Sequence, residues 1–480
     1  MEGGAGEGAG GGRRAPYGRT ASIAVAVHLV IVPRFLNVLT GFELAHEITG
    51  SDDWEVLAAM QRMTQLSYVA AGVLSYALFA VLFENCRRRT CLFVVCISQA
   101  ATSALHICTN SYWLLHVSKA ASAVSDVGAG MFCVIYVSEI APDEIRGALV
   151  TIQHLFVFLS ECLPEFMFSF DVRLKYLHYS CISIVTSVIV ALFAYFAVPE
   201  SPIYFLRRDD SAGAKQSLTI LHGSDENVSR VIASRKKLLK ATRSDAQTTT
   251  SVFEECIHRR TLKFTCVAIG FYFLRVALGS YGSLSQAVLL DWWSRTTISY
   301  NSKPVFEGFI AIMGNLFGLT LCDRLGRKIL LLVSGLVSSV SEIVRGILYY
   351  LSIDDGIFST TGVVMIMIFR AHIFCFNLGA FILPEVLISD IFPPKILNTQ
   401  MAILGSFHLC IGYIILYPID LPGNSPLKLH GHCWLYGGLS CVVALLMIKF
   451  LSETKCRPPG LKFVEREENV LFSSLRNGEQ

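Results

Sequence analysis

The feature that most constrains this chain is a recurrence of apolar runs, about twelve of them, each near the roughly 20 residues a bilayer-spanning helix needs. They fall at Ala21 to Glu43, Met63 to Phe83, Cys91 to Cys108, Trp113 to Val137, Leu149 to Phe170 and Tyr179 to Val198. After a long polar stretch come Leu262 to Leu290, Val305 to Cys322, Ile329 to Leu351, Gly362 to Leu387, Met401 to Tyr417 and Cys433 to Leu451. With 53% hydrophobic and 16% charged residues, the chain cannot cover a water-facing surface with polar groups, so the lipid bilayer is its expected solvent. The formal net charge of +3 is too small to imply a nucleic-acid partner. No nucleophile, metal cluster or carboxylate pair stands in a catalytic context, so an enzyme is not expected, nor is any cofactor. Gly6 to Gly11 formally matches a dinucleotide fingerprint, but it follows no strand and opens no helix.

Orientation follows from the positive residues, which are retained on the cytoplasmic side of short loops. Arg87, Arg88, Arg89, Arg146, Arg324, Arg327, Lys328 and Lys395 all lie in even-to-odd loops, whereas Asp52, Asp53, Asp354, Asp355 and Asp420 lie in odd-to-even ones. Both termini are therefore expected in the cytoplasm, with the plasma membrane as location. The resulting plan is an all-α membrane protein of twelve transmembrane helices in two pseudo-symmetric six-helix bundles. A disordered Gly-rich tail covers 1–18, the first bundle 19–199, a cytoplasmic helical linker 200–260, the second bundle 261–452, and a second tail 453–480. A coarse repeat supports two halves: Lys119 precedes Glu139 by the same interval at which Arg370 precedes Asp390.

Charged motifs gather at one face. Gly318 to Lys328 contains Asp323-Arg324-Leu-Gly326-Arg327-Lys328, in which the glycine permits a tight reversal and the acid can pair or cap. Tyr136 to Gly147 places Glu139 and Arg146 on either side of Pro142. Pro199-Glu200-Ser201-Pro202 ends the sixth span and Glu453-Thr454-Lys455 follows the twelfth. Opposite charges drawn from two bundles onto one face can lock the halves together; each motif also reads as a positive-inside anchor with neutralising acids.

In order and spacing these motifs resemble the sugar porter family of the major facilitator superfamily, over roughly Arg19 to Lys455. The resemblance implies a rocker-switch carrier of a sugar or related small polar solute, with its site between the halves and a gate formed by Glu139, Arg146, Glu200, Asp323, Arg324, Gly326 and Arg327. There are departures. The first-half counterpart of Asp323 to Lys328 is Phe83 to Arg88, which keeps the bases and lacks the glycine and the Asp-Arg pair. Ile203 replaces an arginine and Ser452 a proline of the family signatures.

The family reads sugar hydroxyls with amides, and laying this chain on that pattern puts His154, Arg275, Tyr281, Asn377, Glu385 and His408 at the substrate positions. Charged groups in place of amides are costly in the membrane unless they pair or meet a charged ligand. Two expectations follow: Arg275 and Glu385 pair internally, or the solute is anionic, zwitterionic or otherwise modified. Glu43 and Lys119 fall where the family's symporters carry an acid and an arginine, which implies proton coupling, with a static ion pair as the alternative. The rival from another class is a non-transporting solute sensor on the same fold, which the altered first-half motif and missing amides favour.

Overall fold

A computed structural model of the chain describes residues 18–33, 36–37, 54–169, 175–222, 228, 232, 235–236, 259–294, 303–351, 360–416 and 429–455. Its elements are α1 (Gly18–Val27), continued by a 3-10 turn at His28–Ile31, then α2 (Trp54–Asn85), α3 (Arg88–Cys108), α4 (Tyr112–Ile140), α5 (Arg146–Ser169) and α6 (Tyr176–Ala197). The linker contributes α7 (Pro202–Arg207) and α8 (Ser211–His222). The second half holds α9 (Arg259–Ser294), α10 (Lys303–Leu325), α11 (Arg327–Leu351), α12 (Thr360–Cys375), a π turn at Phe376–Ala380, α13 (Leu383–Ile391), α14 (Pro394–Leu416) and α15 (Leu429–Phe450). Every element is a helix because lipid offers no partner for backbone polar groups, so each segment must satisfy its own.

Among the described residues, nine helices are long and apolar enough to cross a membrane; Gly18–Ile31 and Arg146–Leu159 are apolar but shorter. With α14, 23 residues long, these cover the expected spans in order, α12, the π turn and α13 together forming the tenth. The expected tail over 1–18 lies outside the described residues except Gly18.

Large apolar side chains point outward where lipid would lie, Trp113 and Phe196 each 78% exposed. The central helix is α4: 78% of its apolar stretch is buried against protein, against 28% for α2 and α15. Within the first half α2 packs on α4 and α3 on α6; within the second, α11 packs on α15 and α9 on α14. The halves meet where α2 lies along α14 and α5 along α10. One apolar cluster runs through both, from Ala24 through Phe132 and Ile388 to Met447.

Two irregular places are held by specific partners. The 3-10 turn before Pro33 is tied to α3 by Gln99, whose Nε2 donates to the Val30 carbonyl at 2.7 Å. Ser103 then bridges Asn37 at 2.9 Å and Ser183 of α6 at 2.7 Å. In the second half, the π turn lies against Gly314 and Gly318 of α10. A Cβ on either glycine would sit 2.6 Å from the Phe374 carbonyl oxygen or 2.4 Å from that of Leu378. A small-xxx-small stripe is what lets two backbones approach this closely.

Candidate functional site: a clamped face and a charged centre

The face carrying the arginine loops is built twice over. At the start of α3, the Arg88 and Arg89 backbone N–H groups donate to Glu200 at 2.8 and 3.4 Å, and the Arg88 guanidinium donates to both oxygens of Glu139 at 3.0 and 2.8 Å. At the start of α11, the Arg327 and Lys328 N–H groups donate to Glu453 at 3.0 and 3.1 Å, and the Arg327 guanidinium binds Asp390. Each acid after a sixth or twelfth span thus caps a helix that begins far away in sequence, where free N–H groups and the helix dipole favour a carboxylate. Even the flanking bonds repeat: Arg89 Nε donates to Val198 O at 2.6 Å, and Lys328 Nζ to Ile448 O at 2.9 Å. Burial alone would raise the Glu453 pKa, but N–H groups of Lys455, Arg327, Lys328 and Thr454 hold it below the ordinary glutamate value.

This pairing fixes the register of the first-half motif. Arg88 is the counterpart of Arg327, so Glu84 is the counterpart of Asp323, and Arg87 stands where Gly326 stands. The sequence register, which set Phe83 against Asp323, is one residue out, and the acid it counted as missing is Glu84. Gly326 is needed in its own loop, where φ is +102°; Arg87 turns the same corner in an extended conformation, with φ −64° and ψ 146°.

Both counterpart acids reach across to the other half. Asp323 Oδ2 accepts the Ala148 N–H at the start of α5 at 2.7 Å. Glu84 Oε2 accepts Asn398 Nδ2 near the start of α14 at 2.8 Å, and both Glu84 oxygens accept from Arg207 of the linker at 3.0 Å. Arg146 binds Asp143 at 2.6 Å and its Nε lies 3.7 Å from Asp390 Oδ1 in the second half. The linker adds Arg235, which donates to the Glu139 carbonyl. Of the seven gating candidates, Glu139, Arg146, Glu200, Asp323, Gly326 and Arg327 converge on this face; the Arg324 side chain is exposed, and its carbonyl accepts Lys455 Nζ at 2.5 Å.

At the interface between the halves lies a second charged group. Glu385, on α13, binds Arg275 of α9 through Oε1 and accepts His154 Nε2 of α5 on Oε2 at 2.8 Å. The Arg275 guanidinium lies over the Phe381 ring at 4.7 Å, and His154 meets the same ring edge-on at 5.5 Å. The internal pairing of Arg275 with Glu385, one of the two expectations, is present. The His408 ring of α14 lies tilted beside that of Tyr272 of α9, with centroids 5.1 Å apart. Asn377, in the π turn, accepts Asn315 Nδ2 at 3.2 Å and donates to the Ile373 carbonyl at 2.9 Å. Tyr281 lies on the α9 helix, and its side chain is outside the described residues, as is all of Glu43. Lys119 is on α4, two turns before Asp126, whose Oδ2 accepts the Tyr68 hydroxyl at 2.9 Å.

Sequence reasoning passed over one further cluster. Within α11, Arg345 Nη2 donates to both oxygens of Glu342 at 2.5 Å, all fully buried, with His372 of α12 3.8 Å from the carboxylate. Its signal was present: an acid and a base three apart inside an apolar run form one face of a helix.

Comparison with known proteins agrees with this architecture. The chain is 23% identical over 403 residues to the facilitated trehalose transporter Tret1 of Drosophila yakuba, covering 83% of this chain and 45% of the relative. It is 23% identical over 367 residues to Tret1 of Polypedilum vanderplanki, covering 75% and 69%. The chain thus spans less than half the length of the Drosophila relative. Among solved structures, it superposes with a TM-score of 0.74 at 16% identity on the major facilitator superfamily proton:xylose symporter XylE bound to 6-bromo-6-deoxy-D-glucose, covering 92% of this chain and 97% of that one. Against the inward open conformation of XylE from E. coli the score is 0.58 at 17% identity, covering 91% and 96%. The fold is that of the major facilitator superfamily. The family model for sugar (and other) transporters matches residues 36–460, and the chain is a member of that family.

Proposed function

We propose that this chain is a secondary carrier that moves a sugar or related small polar solute across a membrane by alternating access. The observation that carries the reading is the clamped face: each half is braced internally by its own arginine clamp, while the halves are joined there by single reversible bonds such as Asp323 to Ala148, Glu84 to Asn398 and Arg146 to Asp390. Rigid halves joined by breakable polar contacts are what a rocking motion requires. The placement of lysine and arginine makes the clamped face cytoplasmic, so the form described here is closed on that side. His154, Arg275, Tyr281, Asn377, Glu385 and His408 line the solute path, and Glu139, Arg146, Glu200, Asp323, Arg324, Gly326 and Arg327 form the gate. Glu43 and Lys119 are the pair proposed for proton coupling, and the plasma membrane is the proposed location.

The test is uptake of labelled glucose, trehalose and xylose in hexose-transport-deficient cells with surface expression measured in parallel. Trehalose and xylose enter the panel because relatives and structural neighbours are named for them. Saturable uptake of any of these supports the carrier. Binding without uptake would replace it with a sensor.

A further inference from the structure

Resting on the carrier reading, we propose that the solute is a sugar acid, a polyhydroxylated carboxylate, and that Glu385 takes up one proton each time that carboxylate binds. The argument begins with Glu385 itself, whose two oxygens are held by Arg275 from α9 and His154 from α5, one group from each half. This is how a bound carboxylate would be held, with a guanidinium on one oxygen, an imidazole N–H on the other, and an aromatic ring beneath the cation. Glu385 therefore occupies, as a tethered side chain, the place of an anionic ligand.

Charge fixes the rest. His154, 1% exposed, meets Glu385 Oε2 through an Nε2 that also lies 3.4 Å from Arg275 Nη1, so the formal charges of the site are those of Arg275 and Glu385. Arg275 and Glu385 then sum to zero. A solute carboxylate that displaces Glu385 would leave two anions facing one cation in a low-dielectric site, which is expensive. If Glu385 gains a proton as the solute arrives, the sum stays at zero: the Glu385 carboxylate becomes a carboxylic acid, the proton coming from the solution the site faces, and the solute anion takes the Arg275 and His154 bonds. On release at the other side the proton leaves Glu385, which returns to Arg275 and His154. One proton and one anion move together with no net charge, Glu385 being the coupling carboxylate in place of Glu43. A neutral sugar would need no such exchange.

The ionisable groups facing Glu385 are consistent with this role. Tyr272 and Arg275 approach from α9, His154 from α5 and His408 from α14. On the remaining helices packed against α13, Glu139 of α4 is held by Arg88 and Arg327 of α11 by Asp390 of α13 itself. Glu385 is thus the carboxylate of this central group. His408 and Tyr272 supply polar atoms beside it that suit hydroxyls.

The experiment is transport by the purified full chain in liposomes, with D-glucuronate, D-gluconate, D-glucose and trehalose as probes and pH gradient and membrane potential imposed separately. The expected result is saturable uptake of glucuronate or gluconate, accumulating about tenfold per pH unit and insensitive to potential, as one proton per monoanion demands. Glu385→Gln should lose accumulation of the acid on a pH gradient, and any uptake it retains should no longer respond to pH. Arg275→Gln should lose uptake of the acid altogether. The double variant Arg275→Gln/Glu385→Gln, which leaves no unpaired charge to compromise folding, should also fail to move the acids. Transport of glucose or trehalose with no transport of either acid would overturn the proposal and leave the carrier intact. Undiminished proton-driven accumulation in Glu385→Gln would overturn it as well. No transport of any probe would overturn the carrier reading and the proposal with it.

Discussion

Buried ion pairs in this chain are worth most where one partner cannot be removed without stranding the other. Arg345 and Glu342 are both fully buried within α11, and Arg345 also lies over the Phe369 ring at 5.1 Å. Replacing Arg345 by methionine should lower stability by about 3–5 kcal/mol, while adding Glu342→Gln should recover much of that loss, because the cost lies in the uncompensated charge. Thermal unfolding in detergent of the two singles and the double checks this; simple additivity would show that the residues do not act as a pair. Glu453 makes a different expectation, about pH. Its pKa is depressed by four backbone donors, so the stability it contributes is present above the ordinary glutamate range and is lost as pH falls through its lower folded-state value. Melting temperature measured from pH 6 downward should therefore decline less steeply in Glu453→Gln than in the parent. At this scale the sequence was legible where a residue type has one use, as with an arginine, a glutamate and a histidine at positions where amides are expected. It was not legible where the partner comes from a distant segment: nothing local in Arg88-Arg89 announces Glu200.

Among the elements, the long apolar runs were readable because lipid imposes one solution on them, and the described helices fall where those runs lie. What escaped was local shape. The first-half loop is one residue out in the sequence register because Arg87-Arg88 were set against Arg327-Lys328, whereas the bonds the two halves share are made by Arg88-Arg89 and Arg327-Lys328. The π turn at Phe376–Ala380 was also unforeseen; its signal is on the opposite helix, in the four-residue spacing of Gly314 and Gly318. Gly318→Ala should accordingly push α10 off the π turn and cost about 1–3 kcal/mol as an overpacking change. Loss of melting temperature is the readout, and an unchanged value would mean the two backbones have room to spare.

For the molecule as a whole, the carrier reading proposed above makes the polar bonds across the clamped face the ones that would have to break on opening. Asp323→Asn keeps a carbonyl oxygen for Ala148 but weakens the charge-assisted bonds to that N–H and to Arg327. It should shift the population toward the form open at the clamped face by up to about 1.5–3 kcal/mol, the value of a hydrogen bond to a charged group. Labelling of a cysteine introduced on α5 near that face should rise several-fold; unchanged labelling would assign closure to other contacts. The two clamps are not equivalent in one respect. Glu139 gives both oxygens to Arg88 of its own half, whereas Asp390 lies between Arg327 of its own half and Arg146 of the other. The Glu139 carboxylate is therefore paired only within its own half, whereas the Asp390 carboxylate is paired within its half and across to the other. Separating the halves at this face would thus take one of its two arginines from Asp390 and leave the Arg88–Glu139 pair intact, so the electrostatic cost of opening would fall on one clamp and spare the other.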